Sequence, residues 1–227
     1  MTLMIATYNI RHGEDAGFDF DLLAESILQC GASVVGLQEI DVGTRRSHGL
    51  DVLSGLQKAC GMPYAAFAPT MDFDGGQYGT GVMSMYPIKD WAVHSLPCGG
   101  QEPRGVSVCT LDTPWGALVW LNTHLSYETA DLRAPQLAYI ASLLPMDKPF
   151  VITGDFNTSN QAEFAPLLQK GGAMVNAGER LCMTFRQPPD AIDHIIYTPA
   201  YLNLGSCGMV ENNHSDHNLL YATFDNN

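Results

Sequence analysis

Short apolar, β-branched runs that break off in polar residues set the tightest limit on how this chain can fold. They occupy 2–9, 33–39, 64–69, 79–85, 91–96, 105–111, 117–124, 149–155, 192–197 and 219–224, bounded by Gly, Pro, Asn or Asp. Such runs read as strands, because branched and aromatic side chains fit a pleated surface while the bounding residues turn the backbone. In "LDTPWGALVWLNTHL", Pro114 and Gly116 fold two of them into a hairpin. Helical spacing appears in three places. Leu23, Ile27 and Cys30 form a stripe over 20–30 with Gly31 placed to end it, and Leu53, Leu56 and Cys60 repeat the pattern over 49–60 before Gly61. Leu137, Ile140 and Leu144 mark a third over 131–144, where Pro135 is tolerated only in the first turn. Hairpins with interspersed helices predict an α/β protein in which sheet packs on sheet beneath outer helices, in preference to a doubly wound parallel sheet. No linker, repeat or low-complexity segment divides the chain, so one domain over 1–227 is expected.

The strand tips carry the chemistry. "IATYNIRHG" delivers Asn9 and Arg11, "VVGLQEID" Gln38 and Glu39, "VWLNTHLS" Asn122 and His124, and "VITGDFN" Asp155 and Asn157. Asp193 opens "AIDHIIY", and Asp216 with His217 stands just before the last strand in "NNHSDHNLLY". One such cluster reads as a turn. Six of them form a set, and ligands in layered α/β proteins gather beyond strand ends. Unpaired carboxylates crowded together repel, so the set is stable mainly around a cation. Zinc is disfavoured, because His214, Asp216 and His217 have neither a Cys partner nor helical H-x-x-x-H spacing. His12, His48 and His94 have no role that the sequence assigns.

Composition narrows the partners. Hydrophobic residues make up 46% and charged ones 15%, enough for a sizeable core and unlike a disordered chain. Asp and Glu number 24 against 11 Lys and Arg, which argues against a broad basic face for nucleic acid. A phosphate-bearing substrate stays compatible with that charge, since a bound divalent cation inverts the local field. Six cysteines show no C-x-x-C pair and read as reduced thiols. No stretch reaches the length of a transmembrane helix, and "MTLMIATYNI" reads directly as a strand. The expected location is cytoplasmic by default, with a secreted mature form left open. Oligomeric state is not legible.

The ordered set "YNIRHG", "GLQEID", "GQYGTGVMSMYPI", "NTHLS" with Arg133 and Gln136 in R-x-x-Q, "GDFN", "IDHI" and "SDHN" resembles the endonuclease/exonuclease/phosphatase superfamily nearly end to end. The resemblance implies a four-layered α/β-β/α sandwich, two mixed sheets packed face to face with outer helices. It also implies Mg2+-dependent hydrolysis of a phosphate ester, with Mn2+ as an alternative ion. By the same resemblance Glu39, Asn9 and Asp216 serve the metal, and Asp155, His217, Asp193, His124 and Asn157 serve catalysis. Arg11, Asn122, Tyr78 and Arg104 are assigned to the substrate. These roles suit the residue types. Glu39 is a hard oxygen ligand for Mg2+, with Asn9 beside it as ligand or orienter. Asp193 would fix the tautomer of His217. Asp155 would orient or deprotonate the attacking water, and the sequence leaves open whether it or His217 takes the proton. Asn157 would steady the scissile phosphate, and guanidinium groups match phosphate geometry.

Some members of that superfamily have an Asp where this chain has Arg11, which argues against a second cation held from this strand. The implied function is a phosphodiesterase or phosphomonoesterase acting on a small or soluble phosphate ester. A DNA or RNA nuclease is the alternative, disfavoured by the acidic charge. A non-catalytic binding module stands third, because every catalytic position is filled.

Overall fold

The computed structural model describes residues 2–226 and builds them around two six-stranded mixed sheets. In the first, β1 (Leu3–Asn9) and β2 (Val34–Val42) are central, with β4 (Gly76–Ser84) and β3 (Tyr64–Phe73) beyond β2. On the other side of β1 lie β14 (Leu219–Asn226) and β13 (Leu202–Val210). The second sheet runs β5 (Ile88–Leu96), β6 (Arg104–Thr113), β7 (Gly116–His124), β8 (Phe150–Asp155), β12 (Asp193–Tyr197) and β9 (Ala173–Met174). A ribbon of β10 (Phe185–Arg186) and β11 (Pro189–Asp190) stands apart.

Each sheet has one parallel pair at its centre, β1 with β2 and β7 with β8. Parallel neighbours require a crossover, supplied by α1 (Phe20–Cys30) and α3 (Ala130–Leu143). Their carboxyl ends carry Asn9, Glu39, His124 and Asp155, so the topology brings four of the polar tips to one edge. The layering follows from three apolar clusters. Leu23 of α1 and Leu53 of α2 (Val52–Cys60) pack with Leu37 and Met83 on the outer face of the first sheet. Trp120, Val151 and Ile195 meet Ile5, Val34 and Leu220 between the sheets. Leu137 and Ile140 of α3 join Leu121 and Ile152 outside the second sheet, as does Leu167 of α4 (Ala165–Leu168). The result is the four-layered sandwich.

Local signals behave as the sequence implies at most ends. Asp19 caps α1 by accepting from the amides of Asp21 and Leu22, and Gly31 closes it at φ 70°. Three expectations need correction. Pro135 lies beyond the first turn of α3, which begins at Ala130; it sits on the exposed face, where water can take the carbonyl that loses its donor. The strand runs read at 64–69 and 79–85 are too short: residues 70–78 extend β3 and β4 into a hairpin turned at Asp74 and Gly75, whose positive φ values of 46° and 86° suit an Asp-Gly turn. β13 escapes the sequence reading because Gly205 and Gly208 interrupt its pattern; each leaves room for a side chain of β14, Thr223 and Tyr221 respectively.

A polar tie joins the sheets and corrects the expectation for Asn122. Its amide donates to the carbonyls of Leu37 and Gly81, both at 2.9 Å, and accepts from Gln38 at 2.8 Å and Thr153 at 3.0 Å. The side chain is wholly enclosed and every group is used, so Asn122 holds sheet to sheet and does not face substrate. Gly36 opposite must be glycine, because a Cβ there would collide with Thr153 and Asn122. Asn122→Ala strips partners from several buried groups, each worth about 1–3 kcal/mol. The urea midpoint is expected to fall accordingly; an unchanged midpoint would remove the tie from the list of supports.

Candidate active site

At the edge where the central strands end lies a cleft of about 390 Å³ lined by Glu39, Tyr78, Arg104, His124, Asp155, Asn157, Asp216 and His217, among others. Each is placed by local backbone. Glu39 sits where the β2–β4 register shifts between Leu37 and Ile40, with φ 59°. That bulge breaks the alternation of the strand and re-aims the carboxylate into the cleft. Asp155 pairs across the sheet with both His124 and Asp193, so three functional side chains stand at one level. Asn157, at φ 52°, donates its backbone amide to Asp155 Oδ1 at 2.9 Å and its side chain to the Leu125 carbonyl at 2.9 Å.

Two histidines converge on one oxygen. His124 Nε2 lies 3.5 Å and His217 Nε2 3.7 Å from Asp155 Oδ2. Behind His217, Nδ1 meets Asp193 Oδ2 at 2.8 Å. Burial alone would discharge this imidazole, but the Asp193 carboxylate, through charge and hydrogen bond, and Asp155 raise it to about 10. Asp155 moves in the opposite sense to most carboxylates: burial and the charge of Asp193 push it up to about 7. His124 is driven well below its ordinary value by burial and by the guanidinium of Arg104. For Glu39, burial is overcome by the nearby His12, by the hydrogen bond from Asn9 and by the charge of His217, which hold it at about 2.

These placements refine several expectations. Asn9 donates to Glu39 Oε1 at 3.1 Å and to Asp155 Oδ2 at 3.0 Å, while its oxygen accepts from the Arg11 amide. Through these bonds Asn9 spaces the two carboxylates, while its oxygen accepts a single bond and keeps a second lone pair. Asp216 is at the mouth, 3.8 Å from Arg11 Nε and with 38% of its side chain exposed. Arg11 lines a neighbouring groove and pairs with Asp15 at 2.8 Å. Tyr78 lines the cleft, buried beneath Arg46, whose guanidinium stacks 5.3 Å from its ring. Arg104 is almost wholly buried and contacts Glu102 and His124.

Two further residues were not legible. His12 Nδ1 comes 3.6 Å from Glu39 Oε2, carried there by a left-handed backbone at φ 46° that no sequence pattern announces. Phe185 packs on the His217 ring at 5.0 Å and forms one wall of the cleft. The R-x-x-Q pair has a supporting role: Arg133 and Gln136 bind Ser126, fixing the loop after His124.

Asp155, Asp193 and His217 offer ligand atoms all within 4.8 Å of one another, a group able to hold a metal ion. The donor chemistry around them also fits a hard cation. Glu39 stays ionised, Asp155 stands one amide away, and the buried Asp193 Oδ1 has no hydrogen-bond partner. No helix among the described residues is long and apolar enough to cross a membrane.

The architecture has close counterparts. An endonuclease/exonuclease/phosphatase from Beutenbergia cavernae superposes with a TM-score of 0.79 at 21% identity, over 98% of this chain and 71% of that one. The human Nocturnin catalytic domain with bound sulfate gives 0.79 at 19% identity, over 100% and 94%. In sequence, the chain is 30% identical over 186 residues to the uncharacterized protein YbhP of Escherichia coli K12, covering 74% of this chain and 72% of that protein. A model of the endonuclease/exonuclease/phosphatase family matches residues 6–217. The chain belongs to this family, whose members are phosphoryl hydrolases.

Proposed function

We propose that this protein is a Mg2+-dependent hydrolase of small or soluble phosphate esters, working as one domain over 1–227. The observation that carries the reading is the buried Asp193–His217 pair facing Asp155, with an ionised Glu39 in the same cleft. Glu39, with Asp155 beside it, would hold the cation, which when bound supplies Lewis-acid stabilisation of charge on the phosphate. The chain's own groups do the rest. Asp155, buried between the two histidines at the floor of the cleft, is the base poised to take a proton from the attacking water. His217, held charged by Asp193, donates from Nε2 to the phosphoryl oxygens and steadies their growing charge. Asn157 and His124 offer further donors on the same side. The cleft is the size of a small-molecule site. The net charge of −13 leaves little long-range attraction for a polyanion.

Four substrates test the reading: p-nitrophenyl phosphate, bis-p-nitrophenyl phosphate, plasmid DNA and sphingomyelin, each with Mg2+ or with EDTA. Turnover of a nitrophenyl ester that EDTA abolishes and Mg2+ restores is the expected result. Preferential plasmid nicking would hand the assignment to a nuclease, and no turnover in any arm would overturn it. The dyad has its own test. Asp193→Asn is expected to cost about tenfold to a hundredfold in kcat, the usual loss when an orienting partner is removed. The double variant with His217→Ala should be hardly worse than His217→Ala alone, as for residues acting as a unit. Multiplicative losses would separate the two.

A further inference from the structure

The two histidines that flank Asp155 Oδ2 are backed by partners of opposite charge. Behind His217 stands the carboxylate of Asp193, and behind His124 stands the guanidinium of Arg104, with Nη1 3.0 Å from Nδ1. A guanidinium has only donors and keeps its charge at any pH the protein meets. The one hydrogen bond this contact can make therefore runs from Arg104 into the Nδ1 lone pair. That leaves the imidazole proton on Nε2, because the bond at one ring nitrogen decides which tautomer is present. Both side chains are more than nine-tenths buried, so water does not compete for Nδ1. Arg104 is itself held in place by Glu102, whose Oε1 is 3.0 Å from Nη1.

We propose that Arg104 is a positioning residue that locks His124 as the neutral Nε2–H tautomer, making it a fixed hydrogen-bond donor toward the reacting phosphate. Asp193 demands a proton on His217 Nδ1, and Arg104 forbids one on His124 Nδ1. Both rings nonetheless present Nε2–H to the same place, 3.7 and 3.5 Å from Asp155 Oδ2. Asp155 and a phosphoryl oxygen are thus met by two N–H groups, each fixed by the partner behind its ring. The opening residue of β6 thus acts on the chemistry through a side chain of β7.

The proposal depends on the hydrolase reading for what the donor does, but the tautomer can be read without turnover. In protein carrying 15N-labelled imidazoles, the His124 signals, identified by their loss in His124→Gln, should show Nδ1 unprotonated and Nε2 protonated. Arg104→Met, which has no donor, should give a mixture of tautomers and lose about tenfold to a hundredfold in kcat with little change in KM. Arg104→Lys restores a donor and should recover most of both effects. A protonated Nδ1 in the wild type overturns the proposal, even if Arg104→Met fails to fold. So does an Arg104→Met protein whose tautomer shifts while kcat stays at the wild-type level, since His124 would then not act as the donor. Absence of any esterase activity in the wild type would instead defeat the hydrolase reading, with the spectrum still deciding the tautomer.

Discussion

Glu39→Gln is expected to leave the fold intact and to lower Mg2+-supported kcat by about a thousandfold or more. Lewis-acid stabilisation is worth several kcal/mol, and each 1.36 kcal/mol is about a factor of ten in rate. The substitution keeps the shape of the side chain. Its amide oxygen can still accept from Asn9 Nδ2, which now bonds Glu39 Oε1 at 3.1 Å. What disappears is the charge that His12, Asn9 and His217 help to keep ionised at about 2. Calorimetry gives a readout independent of turnover. Mg2+ should raise the Tm of the wild type, because an ion that binds only the folded chain stabilises it by mass action. That rise should vanish in Glu39→Gln. Wild-type kcat together with an undiminished Mg2+-induced rise in Tm would remove Glu39 from the metal site.

Much of this site was legible because a strand announces both its direction and its end. Asn9, Glu39, His124 and Asp155 stand where apolar runs stop, and the parallel central pairs bring those stops to one edge; Asp193 reaches the same edge by opening an antiparallel strand. Depth was not legible. Asn122 and His124 lie two residues apart and so share a face of β7, but two residues move a side chain roughly 6–7 Å along a strand. That step separates a lining residue from one sealed between the sheets. His12 was hidden for another reason. Its approach to Glu39 depends on positive φ at two successive residues, Arg11 and His12, a conformation uncommon outside glycine. Arg104 was read as a phosphate contact because guanidinium suits phosphate; it does line the cleft, and the imidazole of His124 that it also meets was not legible, since that pairing depends on how the strands sit side by side. β13 failed as a pattern because the small residues it sets against Thr223 and Tyr221 are those that mark turns elsewhere.

Asp155→Asn separates a catalytic carboxylate from a turn residue by moving rate and stability in opposite directions. If "GDFN" only turned the chain, Asn would serve as well as Asp, and kcat per folded molecule would be unchanged. With Asp155 as general base, kcat should fall by about a hundred- to ten-thousandfold. The stability argument concerns the metal-free protein. Burial and the charge of Asp193 raise this carboxyl from its ordinary 3.8 to about 7. Between those values the folded chain keeps a proton that the unfolded chain has released, so wild-type stability falls as pH rises from about 4 to about 7 and then levels off. The Asn variant carries no such penalty. It does lose an acceptor, since Asp155 takes bonds from both Asn157 N and Asn9 Nδ2, and one of these must go. That loss is about 1 kcal/mol, smaller than the relief from a buried like-charged pair. The Tm of Asp155→Asn should therefore match or fall slightly below the wild type near pH 4, and exceed it from about pH 7 upward. A variant with normal kcat and a lowered Tm at pH 8 would return Asp155 to the role of a turn.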